Sequence, residues 1–307
     1  MTRRVLTAAL LGAATAAFAQ SPELGAPLDP TLFTYQRTIP DGGPGPVSLV
    51  VDPLALAHSR GPNQHFADVR ILDAAHRQVP YVIEHREEPL VVAMNPEPGD
   101  PPASTPGGVK RSNWSNYRLR LPCANLPPSQ IAIETSARVF QRGVQLAVVH
   151  PADRYSRNAR LETISATTWA HVSAEEPADA LILSVSSGNA SELWLSIDEG
   201  DNTALPVTAV RLLLPSYRLR FFRPAPSSLV LVYGRSDLLA PRYDLALASQ
   251  DLLNADASEV TPLGERQTTP ARRSLISPLQ FWAFLSIAVA VLLTLIVRLT
   301  KRRSDLA

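Results

Sequence analysis

The segment Tyr117–Leu121 reads YRLRL, and its alternation of apolar and charged side chains predicts a β-strand with one apolar face. The same period of two recurs in Phe33–Ile39, FTYQRTI, and in Asp68–Leu72, DVRIL. One short soluble helix is predicted over Leu245–Leu253, with Asp244 as its N-cap. Further strand candidates are Val47–Val51, Val79–Ile83, Gln130–Thr135, Gly143–His150, Leu181–Val185, Glu192–Ile197, Val207–Leu213, Tyr217–Phe222 and Ser227–Tyr233. Many short strands in a chain with 28 Pro and 14 Gly favour an all-β fold of the sandwich or jelly-roll type.

The first 19 residues have the three parts of a secretory signal peptide. Arg3 and Arg4 form its positive region, and Val5–Ala17 is its apolar stretch. Ala17-Phe18-Ala19 then supplies the small residues that a signal peptidase recognises. An uncleaved anchor is the alternative, but a helix of 13 residues spans about 20 Å, whereas the bilayer core is about 30 Å thick. We therefore predict that residues 1–19 are removed.

A second apolar stretch, near the C-terminus, predicts a membrane anchor. Phe281–Val297 contains no charged residue, and the range 278–299 is long enough as a helix to cross a hydrocarbon core of about 30 Å. Basic residues follow directly: Arg298, Lys301, Arg302 and Arg303. Because positive charges favour the cytoplasmic side, the tail at 300–307 is predicted to be cytoplasmic. A buried core helix is the alternative, which the length and the charged flank disfavour.

Charge and composition exclude several classes of protein. Six of the 29 basic residues lie in the terminal segments, so the chain between them is slightly acidic, which argues against nucleic-acid binding. The single cysteine, Cys123, excludes an internal disulfide and a cysteine-based zinc site. Of the basic residues 27 are Arg, which is typical of a GC-rich bacterial genome. Together with the signal and the anchor, this predicts a single-pass protein of the bacterial inner membrane with most of the chain in the periplasm.

Composition divides the chain between its ends into two predicted β-sandwich or jelly-roll domains, 20–96 and 112–254. The Pro- and Gly-rich segment 97–111 lies between them, because a packed strand does not tolerate that density of proline. It is either a linker between two domains or the tip of a long hairpin within one. The polar segment 255–277 is predicted to be a stalk that leads to one C-terminal transmembrane helix at 278–299.

Two segments in the N-terminal half resemble the opening of an uncharacterised bacterial family of exported, single-span envelope proteins. The first is Phe33–Ile39, and the second is Phe66–Tyr81, FADVRILDAAHRQVPY. In that family a strand is followed by the pattern DLRV-x-N-x-x-G-x-x-VPY, which this chain matches at Asp68, Val69, Arg70, Val79, Pro80 and Tyr81. His76 stands where the family has a turn glycine. The resemblance implies export, one membrane span and a sandwich fold, and it implies no particular reaction.

The C-terminal half shows further similarities. Glu192–Asn202, ELWLSIDEGDN, with Leu205–Val207 after it, is similar to an edge of a jelly roll of the galactose-binding kind. Tyr233-Gly-Arg and Pro241–Ala246, PRYDLA, are similar to recurring features of the same envelope proteins. These similarities imply a galactose-binding-like sandwich over 112–254.

The search for catalytic patterns is negative. The chain has no G-x-S-x-G, H-E-x-x-H or S-x-x-K motif and no nucleotide-binding loop. The six histidines are isolated from one another: His58, His65, His76, His85, His150 and His171. Glu87 and Glu88 beside His85 are either an acid–base cluster or a solvated turn, and Asp68 and Asp73 fit loop-capping carboxylates better than a catalytic pair. We therefore predict no catalytic residue, no metal site and no cofactor.

The most suggestive polar cluster is the loop that follows the strand at Glu192–Ile197. Asp198, Asp201 and Asn202 surround a glycine there, and their oxygens could bind calcium or the hydroxyl groups of a sugar. An ordinary turn is the alternative, because acidic residues, Gly and Asn form turns without a ligand. Trp169 and Trp194 either stack on a sugar or fill the core.

Two classes of function are compatible with these features. The first is a membrane-anchored periplasmic β-sandwich protein that binds an envelope glycan or another envelope protein, for example a multi-span membrane protein. The second is an envelope-polymer hydrolase whose carboxylates come from distant strands. The absence of catalytic motifs favours the binding protein, with the membrane as one partner and no nucleic acid.

Overall fold

The computed structural model describes residues 23–102, 113–150, 159–186, 188–224, 228–245, 249–269 and 282–294. Within these ranges the strands are β1 (Tyr35–Ile39), β2 (Gly45–Val50), β3 (Arg70–Leu72), β4 (Tyr81–Met94), β5 (Pro96–Pro98), β6 (Trp114–Arg120), β7 (Ser129–Thr135), β8 (Phe140–His150), β9 (Arg160–His171), β10 (Leu181–Val185), β11 (Glu192–Asp198), β12 (Val207–Arg223), β13 (Leu229–Tyr233), β14 (Ser258–Val260) and β15 (Arg266–Gln267). The helices are α1 (Pro53–His58), α2 (Ser249–Asn254) and α3 (282–294). The prediction of a mostly β protein with several sheets is confirmed. The predicted signal peptide, 1–19, lies outside the described residues.

The strands form three sheets, which we name by their size. The four-stranded sheet has the order β15-β1-β13-β3, and the five-stranded sheet has the order β5-β6-β11-β8-β9. The six-stranded sheet has the order β10-β7-β12-β2-β14, with β4 also paired to β12. Strands β14 and β2 run parallel, and the other pairs of described strands are antiparallel.

The side chains that alternate along these strands meet in one hydrophobic core. Ile39 of the four-stranded sheet, Leu49 of the six-stranded sheet and Leu195 of the five-stranded sheet belong to the same buried cluster, each with 0% of its surface exposed. Contacts between residues divide the chain into two compact units, one that ends at Thr268 and a second that begins at Thr269. All three sheets therefore belong to the first unit.

The N-terminal strands find their partners late in the chain. Strand β1 pairs with β13 and β15, β2 with β12 and β14, β3 with β13, and β4 with β12. Strand β12 also pairs with β7, so the six-stranded sheet contains strands from both predicted domains, 20–96 and 112–254. Pairing between strands so far apart leaves no local signal in the sequence, which is why the composition suggests a division that the sheets do not follow.

The segment 97–111, for which a linker and a hairpin tip were both open, begins inside a hairpin. Strand β5 pairs with β6, with Pro96 opposite Leu119, and the Gly99 N–H donates to the Asn116 carbonyl at 3.1 Å. Residues 103–112 lie outside the described part of the chain. The pairing on both sides of the gap fits the hairpin alternative.

The first part of the predicted stalk, 255–277, is folded against the four-stranded and six-stranded sheets. Strands β14 and β15 lie in it, and the Leu263 N–H donates to the Thr38 carbonyl at 2.9 Å. The buried Arg37 guanidinium donates to the carbonyls of Pro262 and Leu263 at 2.9 and 2.7 Å. These strands are two and three residues long, too short to show a period in the sequence.

The second unit is described only over helix α3, 282–294. Every residue of this helix is exposed, including Trp282, Phe284 and Ile287 at 60% or more. Among the described residues, no helix combines the length and the apolar character that crossing a membrane requires. The remainder of the predicted transmembrane range 278–299 lies outside those residues.

Candidate functional site

The loop predicted to bind a ligand forms a compact turn at the end of β11. The Asp198 carboxylate accepts a hydrogen bond from the Gly200 N–H at 3.1 Å. The side-chain amide of Asn202 donates to the Glu199 carbonyl at 3.0 Å, and its main-chain N–H donates to the same oxygen. Asp201 is exposed. Two of the three predicted site residues thus bond within the loop, as in an ordinary turn.

A buried ion pair that the sequence did not single out anchors this turn. Glu199 is 3% exposed and lies 2.8 Å from Nε of Arg142, which is 9% exposed. The second carboxylate oxygen accepts from the Leu205 N–H at 3.1 Å, and Arg142 Nη2 donates to the Thr203 carbonyl at 3.3 Å. The described residues contain no group of three or more His, Cys, Asp or Glu side chains arranged to hold a metal ion. Ligand binding at Asp198, Asp201 and Asn202 stays a prediction.

The two tryptophans considered for sugar stacking are buried. Trp169 is 5% exposed and packs edge-on against Phe140, with 5.1 Å between the ring centroids. Trp194 is 6% exposed, and a Cβ atom at Gly99 would lie 3.5 Å from its ring. Its neighbour Leu195 points into the core, so Trp194 lies on the opposite face of β11, beneath the chain that leaves β5. Neither ring offers a free face to a sugar, which corrects the stacking hypothesis in favour of packing.

The motifs behind the family resemblance meet in one buried region. The Asp68 carboxylate, 1% exposed, accepts from the Gly234 N–H at 2.8 Å and from the Arg60 N–H at 2.9 Å. Gly234 has φ +85°, and a Cβ there would lie 2.6 Å from the Tyr35 ring, so only glycine fits. The segments 68–70 (DVR) and 233–235 (YGR) therefore stabilise each other through this contact.

The other motif residues extend this region. Arg70 donates to the Leu239 carbonyl at 2.8 Å, and the Tyr81 ring packs edge-on against Tyr243 at 5.6 Å. Burial raises the pKa of the Tyr81 hydroxyl, which donates to the Val69 carbonyl at 2.8 Å. Buried groups that bond to main-chain atoms stabilise a fold and leave no surface for a ligand. The described contacts of these motif residues thus serve the fold.

An open cleft lies where strands β4 and β12 separate. Leu214 of β12 is opposite Leu90 of β4, but the next matched pair is Ser216 with Arg86. Pro215 and Pro89 lie in the mismatch, and proline has no N–H to donate to a ladder. A cleft of about 550 Å³, a size typical of small-ligand sites, lies at this interruption and is lined also by the start of β7 and the end of β10.

About half of the described residues that line this cleft are polar, and the others are apolar or proline. Four serines from three different strands or their ends contribute hydroxyl groups, and Gln130 contributes an amide. The serines are Ser129, Ser184, Ser186 and Ser216. Ile164, Leu213 and Val185 supply apolar surface. Hydroxyl and amide groups both donate and accept hydrogen bonds, so this lining suits a ligand that carries many hydroxyl groups.

The charged residues of the cleft lining come from the His85–Glu87 run of β4. The His85 ring lies beside Tyr217, with 4.9 Å between the centroids. Arg86 pairs with Glu88 at 2.9 Å and reaches Glu84 at 3.7 Å. The sequence left open whether these glutamates form an acid–base cluster or a solvated turn. Glu87 and Glu88 are exposed, which fits solvation, but they lie in strand β4 and not in a turn.

A second polar cluster lies inside the fold and involves His58. Its Nδ1 lies 2.8 Å from Oε2 of Glu265, and the Tyr233 hydroxyl donates to the other oxygen of this carboxylate. Burial raises the pKa of Tyr233, and its hydrogen bond to Glu265 acts in the same direction. The Tyr35 ring stacks on the imidazole at 4.4 Å and covers one of its faces. Through Glu265, the cluster joins the predicted stalk segment to the core.

Cys123 lies close to this cluster. Its thiol contacts the Pro53 carbonyl at 3.3 Å, and burial raises its pKa to about 11, with the charges of Asp52 and Glu265 acting in the same direction. A thiol with so high a pKa is neutral at physiological pH and is a poor nucleophile. Cys123 therefore acts here as a small packed side chain.

Comparison of the chain with protein-family models, with curated proteins and with solved structures gives no match. The function is therefore argued from the geometry of the described residues.

Proposed function

We propose that the protein is a membrane-anchored periplasmic β-sandwich protein that binds a cell-envelope glycan in the cleft between β4 and β12. The observation that carries the proposal is the cleft itself, an opening of about 550 Å³ lined by serine hydroxyls, an amide and charged side chains. A polysaccharide offers the complementary pattern of hydroxyl groups that donate and accept.

The shape of the cleft supports a polymer as the ligand. Its apolar lining includes Leu213 and Leu214 from the middle of β12 and Val185 from the end of β10. Pro89 and Pro128 add rigid apolar surface at its sides. A wide, open cleft on rigid strands allows a chain to lie across it, and it holds a ligand without ordering a loop.

The lining favours binding over hydrolysis. A glycosidase needs two carboxyl groups about 5–10 Å apart across the scissile bond. Among the described residues that line the cleft, Glu87 is the one that carries a carboxylate. The alternative of an envelope-polymer hydrolase therefore has less support at this cleft than a binding protein.

The location is supported by helix α3. All its described residues, 282–294, are apolar or small except Ser286 and Thr294, and all are exposed. The Thr294 hydroxyl bonds back to the Ala290 carbonyl at 2.7 Å, so even this polar group is satisfied within the helix. A helix that is apolar on every face requires an apolar surrounding. We propose that the lipid of the inner membrane is this surrounding and that the range 278–299 spans it.

The proposed ligand can be tested with the full-length chain in detergent micelles. Soluble fragments of bacterial envelope polysaccharides, peptidoglycan included, are titrated by calorimetry. Ser184→Leu fills the cleft, and we expect it to weaken binding about tenfold or more. Ser258→Leu is the matched control, because Ser258 is also an exposed strand serine but lies on β14, outside the lining. Equal binding by both variants, or no binding by the unmodified chain, would refute the proposal.

The proposed topology has a separate test. A reporter that is active only in the periplasm is fused after Leu253 or after Ala307. We expect activity from the first fusion alone, because the basic cluster behind residue 297 favours the cytoplasm. Activity of the fusion at Ala307 would contradict a single span with a cytoplasmic tail.

A further inference from the structure

Arg223 occupies an unusual place at the end of β12. It is paired with Gly45, the first residue of β2, and only 1% of its surface is exposed. It is among the largest fully buried side chains of the described residues. Arginine keeps its charge at all physiological pH values, so a full positive charge is buried at the end of a central strand of the six-stranded sheet.

The guanidinium group has few partners. Its Nη2 donates to the Pro40 carbonyl at 2.8 Å. Its Nε and Nη1 are buried and have no hydrogen-bond acceptor among the described residues. Buried donors of a charged group are normally satisfied, because leaving them unpaired costs the full desolvation of the charge. Arg223 is therefore short of an acceptor.

The carboxylate that acts on this charge is Asp41, but it does not pair with it. In the described part of the chain, Arg223 has no carboxylate within the 4.0 Å that defines an ion pair. Burial lowers the pKa of the Arg223 guanidinium, and the negative charge of Asp41 opposes this shift. The described residues thus supply no ion pair that would satisfy the guanidinium.

A loop without bulky side chains covers the guanidinium. A Cβ atom placed on Gly42 would lie 3.6 Å from both Cζ and Nη1 of Arg223, so the backbone of the loop covers the group directly. A Cβ atom on the adjacent Gly43 would meet nothing within 4 Å. The cover is a short stretch of Pro, Asp and Gly between β1 and β2, and a small displacement of it would give access to the unpaired donors.

We propose that Arg223 and the loop at 41–45 form a binding site for a small oxyanion, a phosphate or a carboxylate group. Guanidinium N–H groups form short charge-assisted hydrogen bonds to such oxygens. An oxyanion would supply both the acceptors and the negative charge that Arg223 lacks. The site is distinct from the cleft between β4 and β12, since none of its residues lines that cleft.

The test uses the full-length chain in detergent and compares phosphate, acetate and chloride at equal ionic strength. Low millimolar phosphate or acetate is expected to raise the Tm of the unmodified chain by several degrees, because a ligand that prefers the folded state stabilises it. Arg223→Met is expected to abolish this response. Without added oxyanion it is expected to be at least as stable as the unmodified chain, because an unpaired buried charge has been removed. The relative size of the phosphate and acetate shifts distinguishes the two ligand chemistries.

Two further variants separate this site from general salt effects. Arg235→Met removes a cation that already pairs with Asp237 at 2.6 Å, so its response to phosphate is expected to equal that of the unmodified chain. Asp41→Asn removes a negative charge near the site and is expected to lower the Kd for phosphate in a calorimetric titration. It also keeps the proposal testable if Arg223→Met does not fold.

The proposal is overturned by any of three results. The first is that neither anion shifts the Tm of the unmodified chain relative to chloride. The second is that Arg223→Met retains the full shift. The third is that Asp41→Asn lowers the Tm without oxyanion and weakens phosphate binding, which would make Asp41 the partner of Arg223.

Discussion

The buried ion pair between Arg142 and Glu199 allows a quantitative test of what holds the loop after β11. Glu199→Ala removes the carboxylate that bonds to Arg142 and to the Leu205 N–H, and it leaves the guanidinium buried without its counter-charge. Removing one partner of a buried pair typically costs about 3–5 kcal/mol. In a protein of this size, each kcal/mol lowers the Tm by about 2–4 °C, so we expect a decrease of about 6–20 °C.

Two controls separate the buried charge from the loss of a side chain. Glu199→Gln keeps an oxygen for the Leu205 N–H and loses only the charge, so its effect is expected to be smaller than that of Glu199→Ala. Glu134→Ala breaks a pair with Arg211 in which the side chains are 36% and 46% exposed, and such pairs contribute only about 0–1 kcal/mol. The informative quantity is therefore the loss of unfolding free energy in Glu199→Ala relative to the loss in Glu134→Ala.

The measurement is chemical unfolding of the full-length chain in detergent, followed by tryptophan fluorescence. The reasoning would be refuted if Glu199→Ala and Glu134→Ala lowered the unfolding free energy equally.

Three other predictions concern single positions. His76 has φ +60°, a conformation that glycine adopts without strain. His76→Gly is therefore expected to raise the unfolding free energy by about 0.5–1 kcal/mol in a denaturant titration. His76→Ala keeps a Cβ atom and is expected to give no such gain. Because burial raises the pKa of Cys123 from 9.0 to about 11, its neutral thiol stabilises the fold below pH 9, and this contribution is lost as the pH rises to 11. Cys123→Ser should therefore show a flatter stability profile over this range than the unmodified chain. Asp198 bonds within its own loop, so millimolar calcium is expected to leave the Tm of the unmodified chain unchanged. The Asp198→Asn, Asp201→Asn double variant is expected to behave in the same way. A calcium-dependent shift in Tm that is confined to the unmodified chain would establish the ligand site.

The sequence predicts strands well where one of their faces is buried. Leu181–Val185 is predicted and observed over the same residues, and its burial alternates even though the exposed Ile182 is apolar. Strand β9, Arg160–His171, is missed because it is an edge strand in which only Trp169 is buried, so it has no apolar face. Helix α1 is missed because its six residues are too few to show a helical period, although Asp52 caps it and Pro53 begins it.

The candidate sites were harder to predict because they depend on pairing. Pro89 and Pro215 line one cleft only because β4 and β12 are neighbours, and nothing near either proline indicates this. Glu199 resembles Asp198 and Asp201 in the sequence, yet it is the one carboxylate of the three that is buried. Arg223 continues an alternating strand in which other arginines are partly exposed, and its burial depends on a loop far away in the sequence. The motif residues Asp68, Arg70 and Tyr81 are buried and bond to main-chain atoms, so their described contacts belong to the fold.

The late partners of the first four strands have a consequence for how the protein acquires its structure. The chain is made from its N-terminus at about 5–20 residues per second, and about 110 residues separate the end of β4 from the start of β12. Strand β4 therefore waits roughly 5–25 s for β12, and β1 and β3 wait roughly 8–40 s for β13, with their edges able to pair with other chains. Folding cannot proceed in the order of synthesis, and such non-local pairing is intrinsically slow. During this interval the nascent chain would depend on a chaperone that binds unpaired, apolar strands, and a truncation before β12 would leave the whole N-terminal third without a fold.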